Sequence, residues 1–282
     1  QGYGSFYSIL LLSGKNAKKL IWQHNDLLTE KNKKVNGKKP HRRELRVVFS
    51  TYQFFDKIVG CSEATMNVNL EKIGYKELKD KCAFVRNAAN FDRVLAGSKE
   101  SFTRETAAKL GLPELLNKGL TSFVNMGRLS PEKNQVALIK AFAKFNKEYP
   151  KTRLYIIGDG ALMDELKILI SSLDMDEKIV LTGNMDNPFM LMKECDCFIL
   201  PSLHEGQPVS LLEARLLKLP IIMSNFSSAQ SSLFDNGQFL IGNTTDDIYK
   251  GLIAFMEGKN NTIPIWPFPL EITIFSMKHF QV

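Results

Sequence analysis

Residues 196–217 read DCFILPSLHEGQPVSLLEARLL, a run in which an apolar strand, a turn and a helix succeed one another without a spare residue. Cys197 to Leu200 has the unbroken apolar character of a parallel strand buried on both faces, and Pro201-Ser202 ends it. In an open α/β sheet, ligands bind at the carboxyl ends of the strands, so chemistry is expected in the turn that follows. Glu205-Gly206-Gln207-Pro208 makes that turn and opens a helix with a proline near its first position, whose unpaired backbone N–H groups offer an anion site. Two carboxylates, Glu205 and Glu213, flank this helix start. Taken alone, such a pair is what a solvated loop acid and a helix-surface acid would give; its meaning comes from the rest of the chain.

Working outward, the second half alternates strands and helices at short spacing. Thr121 to Met126 reads as a strand that ends in Gly127-Arg128-Leu129-Ser130-Pro131-Glu132-Lys133, with a helix from about Asn134 to Glu148. Arg153 to Ile157 is the next strand, closing on Gly158-Asp159-Gly160 before a helix over 161–173; Lys178 to Thr182 follows, ending at Gly183-Asn184-Met185, and then a helix over 187–193. Beyond the opening stretch, Leu219 to Met223 and Gly237 to Ile241 are strands, and Thr245 to Glu257 is a helix. These units predict a Rossmann-like domain with a nearly complete parallel sheet and helices on both faces. Gly158-x-Gly160 lacks the third glycine of a dinucleotide fingerprint and reads instead as a tight strand-to-helix turn.

The first half is less complete. Lys19 to Gln23 is a strand with His24-Asn25-Asp26 at its carboxyl end, which makes His24 a candidate site residue; a structural histidine is the competing reading. A helix over 42–55, a strand over 58–61, a helix capped by Ser62 and running to about Ile73, and a strand over 83–86 follow. About three strands precede Asn90, too few for a complete doubly wound domain. The division expected is therefore 1–98, a partial first domain, and 99–282, with the last stretch packing back on the first and a Gly111-Leu112-Pro113 link near the start of the second.

With 282 residues, 44% hydrophobic and 24% charged, the chain has apolar material for two cores, which excludes global disorder. No apolar run approaches the ~20 residues of a membrane span and no signal-peptide pattern stands at the start, so a cytoplasmic chain is expected. Between Lys15 and Arg46, eleven Lys or Arg face Asp26, Glu30 and Glu44, while the whole chain carries +7; the remainder is close to neutral. If this basic stretch has a partner, an anionic membrane surface against residues 31–46 fits better than nucleic acid, because no aromatics are interleaved with the cations of the loop; a solvated loop is the alternative. Cys61, Cys82, Cys195 and Cys197 are expected to be buried free thiols, since a C-x-C pair lacks the second pair of a zinc site.

The ordered set G127-R-L-S-P-E-K133, I157-G-D-G160, L181-T-G183 and E205-G-Q-P-V-S-L-L-E213 resembles the family-four retaining glycosyltransferases of the GT-B fold. H24-N25-D26, V59-G-C-S62-E63 and N87-A-A-N90 are similar to the second half of that family's acceptor domain, so the chain resembles a member whose first part is absent. The resemblance implies two Rossmann-like domains of the GT-B type, the first incomplete. It further implies transfer of a hexose from a UDP- or GDP-sugar to a glycan or lipid-linked acceptor, with retention, no metal and no further cofactor, in surface polysaccharide biosynthesis. Arg128 and Lys133 would stabilise the diphosphate leaving group, Glu205 would bind the sugar hydroxyls beside the N–H groups of Gly206 to Val209, and Glu213 would bind the ribose. Gly127 belongs to the phosphate turn, Asn184 and Met185 match the loop along the base, and His24 would lie beside the reacting centre. Gln207-Pro208 replaces the Phe-Gly of many members, which bears on sugar preference. Two other readings stay open: an epimerase or phosphorylase of similar shape, and a non-catalytic nucleotide-sugar-binding remnant.

Overall fold

In a computed structural model, the described residues are 11, 16–32, 38, 39, 41–73, 76–87, 89–109, 119–226, 229 and 238–258. The apolar stretch at the start apart from Leu11, the Gly111-Leu112-Pro113 link and the tail after residue 258 lie outside them. The chain forms two compact units that meet in sequence at Asn87 and Ala88.

In the first unit, β1 (Leu20–Gln23), β2 (Lys57–Gly60) and β3 (Cys82–Phe84) make a parallel sheet in the order β1-β2-β3. Helices Arg42–Thr51 and Glu63–Ile73 make the crossovers expected from sequence, and a short helix Leu27–Asn32, not foreseen, follows His24. Ser62 caps the Glu63 helix by accepting the Thr65 N–H at 3.1 Å. Ile21, Leu45, Val48, Tyr52, Phe55, Ile58 and Met66 form this unit's core.

The second unit carries β4 (Thr121–Met126), β5 (Thr152–Ile157), β6 (Ile179–Gly183), β7 (Cys197–Leu200), β8 (Ile221–Ser224) and β9 (Gln238–Ile241), all parallel, in the order β6-β5-β4-β7-β8-β9. Strand order reverses between β4 and β7, and that reversal leaves a crevice at their carboxyl ends. The continuous apolar runs are explained by the two cores. Phe198 and Leu200 point to a face covered by Phe189, Leu211 and Ala214. Cys197 and Ile199 point to the other, covered by Leu138, Phe142, Leu166 and Leu252 from the helices Gln135–Glu148, Met163–Ser172 and Thr245–Met256. All four residues of β7 are buried, as a strand between two helical layers requires.

The helix Phe91–Gly97 stands where the sequence pattern predicts only the end of a strand, over 87–92. Asn90 caps it by accepting the Arg93 N–H, a signal present in the sequence as Asn-x-x-Arg before an apolar residue. An expected boundary after residue 98 assigns this helix to the first unit; its contacts run to the helices Val209–Leu216 and Phe189–Met192 of the second. Three cysteines are buried, Cys82 is partly so, and all four are free thiols.

Candidate functional site

The two loops that flank the reversal bring the predicted residues together. After β4 the chain runs through Gly127 and Arg128 to a single turn of 3-10 helix, Pro131–Lys133, and Asn134 then takes a left-handed conformation (φ 59°) before the long helix begins at Gln135. Lys133 therefore sits in a tight turn of its own ahead of that helix, which begins one residue after the expected start at about Asn134. After β7 the chain turns through Ser202 to Glu205, and Pro208 caps the helix Val209–Leu216 in an extended conformation.

The loops are joined at several points. Lys133 Nζ lies 2.5 Å from Glu205 Oε1. That same oxygen accepts the hydroxyl of the fully buried Ser202 at 2.7 Å. Leu203 N donates to Glu132 O at 2.8 Å, and Asn134 Nδ2 donates to Pro201 O at 3.1 Å and to Asn243 O at 2.9 Å. Below them, Asn125 Nδ2 on β4 donates to Ile199 O on β7 at 2.8 Å. Lys133 and Glu205 thus neutralise each other across the crevice, and the pair is largely sheltered.

Gly158 and Gly160 have a role the sequence only half disclosed. A Cβ on Gly158 (φ +135°) would overlap Gly127 O, and one on Gly160 would overlap the backbone of Leu129. The tight turn expected there is needed because the loop after β4 presses directly on it; Leu129 N donates to Asp159 O at 2.9 Å and Leu162 N to Leu129 O at 3.2 Å. Gln135 Nε2 holds the loop from the other side by donating to Arg128 O at 3.0 Å. The Arg128 side chain is exposed and makes no hydrogen bond or ion pair among the described residues.

Glu213 lies one turn into the Val209 helix and is half-buried, its carboxylate without a hydrogen bond among the described residues. Burial raises its pKa above the usual 4.5, and the charge of Arg93 acts against that rise. Arg93 comes from the helix the sequence reading missed; its Nη2 donates to Asp186 O at 3.0 Å and its guanidinium lies 5.9 Å from the centre of the Phe189 ring. Ser202 and Asn134 are further site residues that no motif reading had singled out. Gly206, Gln207 and Pro208 are buried, while Val209 is partly exposed.

Asn184 and Met185 stand apart from the ion pair. They follow β6, the edge strand two places from β4; Asn184 is exposed, and the partly buried Met185 packs against the core. His24 belongs to the first unit, at the carboxyl end of β1. Burial lowers its pKa, its Nε2 is buried without a hydrogen-bond partner, and its ring stacks with Trp22 at 6.4 Å. Among the described residues no group of three or more His, Cys, Asp or Glu side chains is placed to hold a metal ion.

A family model described as glycosyl transferases group 1 matches residues 113–262, more than half of the chain. The chain belongs to that family. A glycosyltransferase of Methanocaldococcus jannaschii is 28% identical over 212 residues, 74% of this chain and 48% of its own length. The Escherichia coli UDP-Gal:alpha-D-GlcNAc-diphosphoundecaprenol alpha-1,3-galactosyltransferase is 37% identical over 145 residues, 49% of this chain and 37% of its own. This group 1 chain therefore spans half or less of the length of these two relatives. HepE of Anabaena, solved in complex with UDP, has a TM-score of 0.65 over 86% of this chain and 64% of its own, at 19% identity. The fold is of the GT-B type, α/β with two Rossmann-like units.

Proposed function

We propose that this chain carries the donor site of a retaining, metal-independent glycosyltransferase that moves a hexose from a UDP- or GDP-sugar to a glycan or lipid-linked acceptor in surface polysaccharide biosynthesis. The observation that carries the reading is the Lys133–Glu205 pair at the point of strand reversal, where a cation and a carboxylate from two loops meet in one crevice.

A donor's diphosphate competes with Glu205 for Lys133 and adds the exposed Arg128 from the same loop. Loss of either cation is expected to cost about 2 to 4 kcal/mol of transition-state stabilisation, the scale of a donor aimed at developing negative charge. Freed of Lys133, the Glu205 carboxylate accepts hydroxyls of the sugar, close to the N–H groups of Gly206 to Val209. Ser202 keeps it oriented through the hydrogen bond to Oε1. Glu213, ionised, accepts two ribose hydroxyls, and Asn184 and Met185 form the edge toward the base.

In the transfer itself the bond from the anomeric carbon to the phosphate oxygen breaks, and a bond from the acceptor oxygen forms on the same face. The acceptor's proton passes to the departing phosphate oxygen, so no enzyme nucleophile is consumed. For His24 the support is the resemblance together with its burial, which favours a neutral imidazole able to lie beside developing positive charge. The lipid-linked acceptor is supported by the activity of the E. coli relative, which acts on a diphosphoundecaprenol-linked sugar.

Calorimetry with UDP- and GDP-sugars tests the reading. Binding is expected, weakened by Glu213→Ala and by Lys133→Ala; a chain that binds neither nucleotide sugar overturns it. An inverted anomeric configuration in the product, read by NMR, overturns the mechanism. Conversion of donor without acceptor, or binding without any turnover over a wide acceptor panel, favours the epimerase-like or the non-catalytic reading instead.

A further inference from the structure

The loop after β6 is gripped at two points by the helix Phe91–Gly97. Near the start of that helix Arg93 Nη2 donates to Asp186 O at 3.0 Å, and at its end Gly97 O accepts from Asn187 Nδ2 at 3.0 Å. Asn187 Oδ1 in turn accepts the Phe189 N–H at 3.2 Å, and the Arg93 guanidinium faces the Phe189 ring. Val94 of the same helix is buried in one core with Phe189, Leu211 and Ala214. The helix is thus fixed on its apolar side, and its exposed arginine has a defined place.

The Phe91 helix also packs on Val209–Leu216, the helix that carries Glu213. Asp92 and Arg93 on the first, Asp186 in the loop, and Arg215 on Glu213's own helix are the charges these elements bring to it. Of these, Arg93 is the one that acts on Glu213, and it favours the ionised form against the effect of burial. One guanidinium therefore serves two elements that meet only through it: the loop of Asn184 and Met185, and the carboxylate of Glu213. Arginine suits the task, because one N–H of its planar fork can stay on Asp186 O while the delocalised charge faces the carboxylate.

We propose that Arg93 is a positioning residue for the nucleoside half of a nucleotide diphosphate donor, setting the loop 184–187 and the Glu213 carboxylate at one separation so that base and ribose are met together. This role rests on the donor site proposed above and names the group that aligns its two ends. A purely structural Arg93 would anchor the loop and leave the behaviour of Glu213 unchanged.

The experiment compares the wild-type chain with Arg93→Gln, Arg93→Lys and Glu213→Gln. Without any nucleotide, the carboxyl carbon of Glu213 is followed by NMR against pH, its signal identified by its absence from Glu213→Gln. In Arg93→Gln it should titrate at higher pH than in the wild type, because the cation that favoured ionisation has gone; Arg93→Lys, which keeps a charge, should restore it. In calorimetry with UDP, Arg93→Gln should bind on the order of tenfold more weakly at neutral pH, a size usual for coupled binding groups. Its affinity should also begin to fall at a higher pH on acidification than that of the wild type. Arg93 is exposed, so unchanged melting temperatures certify the fold of its variants. An unmoved Glu213 titration in Arg93→Gln overturns the proposal, even where UDP binding weakens, because a loop anchor alone then explains the loss. So does a UDP affinity within about twofold of the wild type, below the usual range of such couplings. A wild-type chain that binds neither UDP nor GDP overturns the donor reading and this role with it, and the nucleotide-free titration keeps that failure distinct from the other two.

Discussion

Substituting Lys133 by Met removes the cation that bridges the loops after β4 and β7. The side chains of Lys133 and Glu205 are 18% and 10% exposed, which places the pair between surface ion pairs, where about 0 to 1 kcal/mol is usual, and buried ones, where loss of one partner costs about 3 to 5 kcal/mol. Glu205 retains the Ser202 hydroxyl after the change, so the cost is expected near 2 kcal/mol and not at the upper end. For a domain of this size that is a fall in melting temperature of about 4 to 8 °C. Glu205→Gln should cost less, since Gln still accepts from Ser202 and presents its carbonyl to Lys133. The double variant should recover stability, with a coupling of about 1 to 2 kcal/mol in the cycle, because the uncompensated charge has gone. Donor affinity should not recover, because the diphosphate has lost its lysine and the sugar its carboxylate. Thermal unfolding and calorimetry with UDP- and GDP-sugars on the four proteins read the two effects separately. Stabilities that add to within about 0.5 kcal/mol refute a working ion pair, and full donor binding by the double variant refutes the site.

Gly160→Ala should displace the Arg128 loop, because the new methyl overlaps the backbone of Leu129; a stability loss of about 1 to 3 kcal/mol and weaker donor binding are expected, measured by thermal unfolding and calorimetry. Glu213, whose pKa is raised by burial, should take up its proton on acidification before an ordinary carboxylate does, so donor affinity measured against pH should fall from above the usual 4.5. Its contribution to stability has the opposite sign: a raised folded-state pKa stabilises fully below the unfolded value and is lost as pH rises through the folded value. Glu213→Gln should therefore be slightly stabilising near neutral pH while it abolishes that pH dependence and most donor binding, and a destabilised Gln variant would count against the reading.

Much of the second unit is legible in the chain. A strand buried on both faces cannot alternate, and Cys197 to Leu200, like Ile221 to Met223, shows the continuous apolar run that follows. Less was legible where short polar segments cap or turn. Helix Phe91–Gly97 is a short helix whose stability comes from packing on the Val209 helix, so its periodicity is weak, and Arg93 went unnoticed with it. Asn tolerates the left-handed region, but what selects it at Asn134 is not local: its side chain reaches two carbonyls distant in sequence, on Pro201 and Asn243.

The sequence by itself determined that β-strands and helices alternate, that the carboxyl ends of the strands carry the polar turns, and that Arg128, Lys133 and Glu205 stand in those turns, with Glu213 in the helix that follows. Which turns adjoin was not in it, because local pattern sets the period of each element while strand order depends on contacts between residues far apart in the chain. Tertiary structure alone put β4 beside β7, 74 residues apart at the Asn125–Ile199 hydrogen bond, and so brought Lys133 onto Glu205 with Ser202 behind it. It also decided that Gly158 and Gly160 leave room for the neighbouring loop, a requirement of contact and not of their own conformation alone.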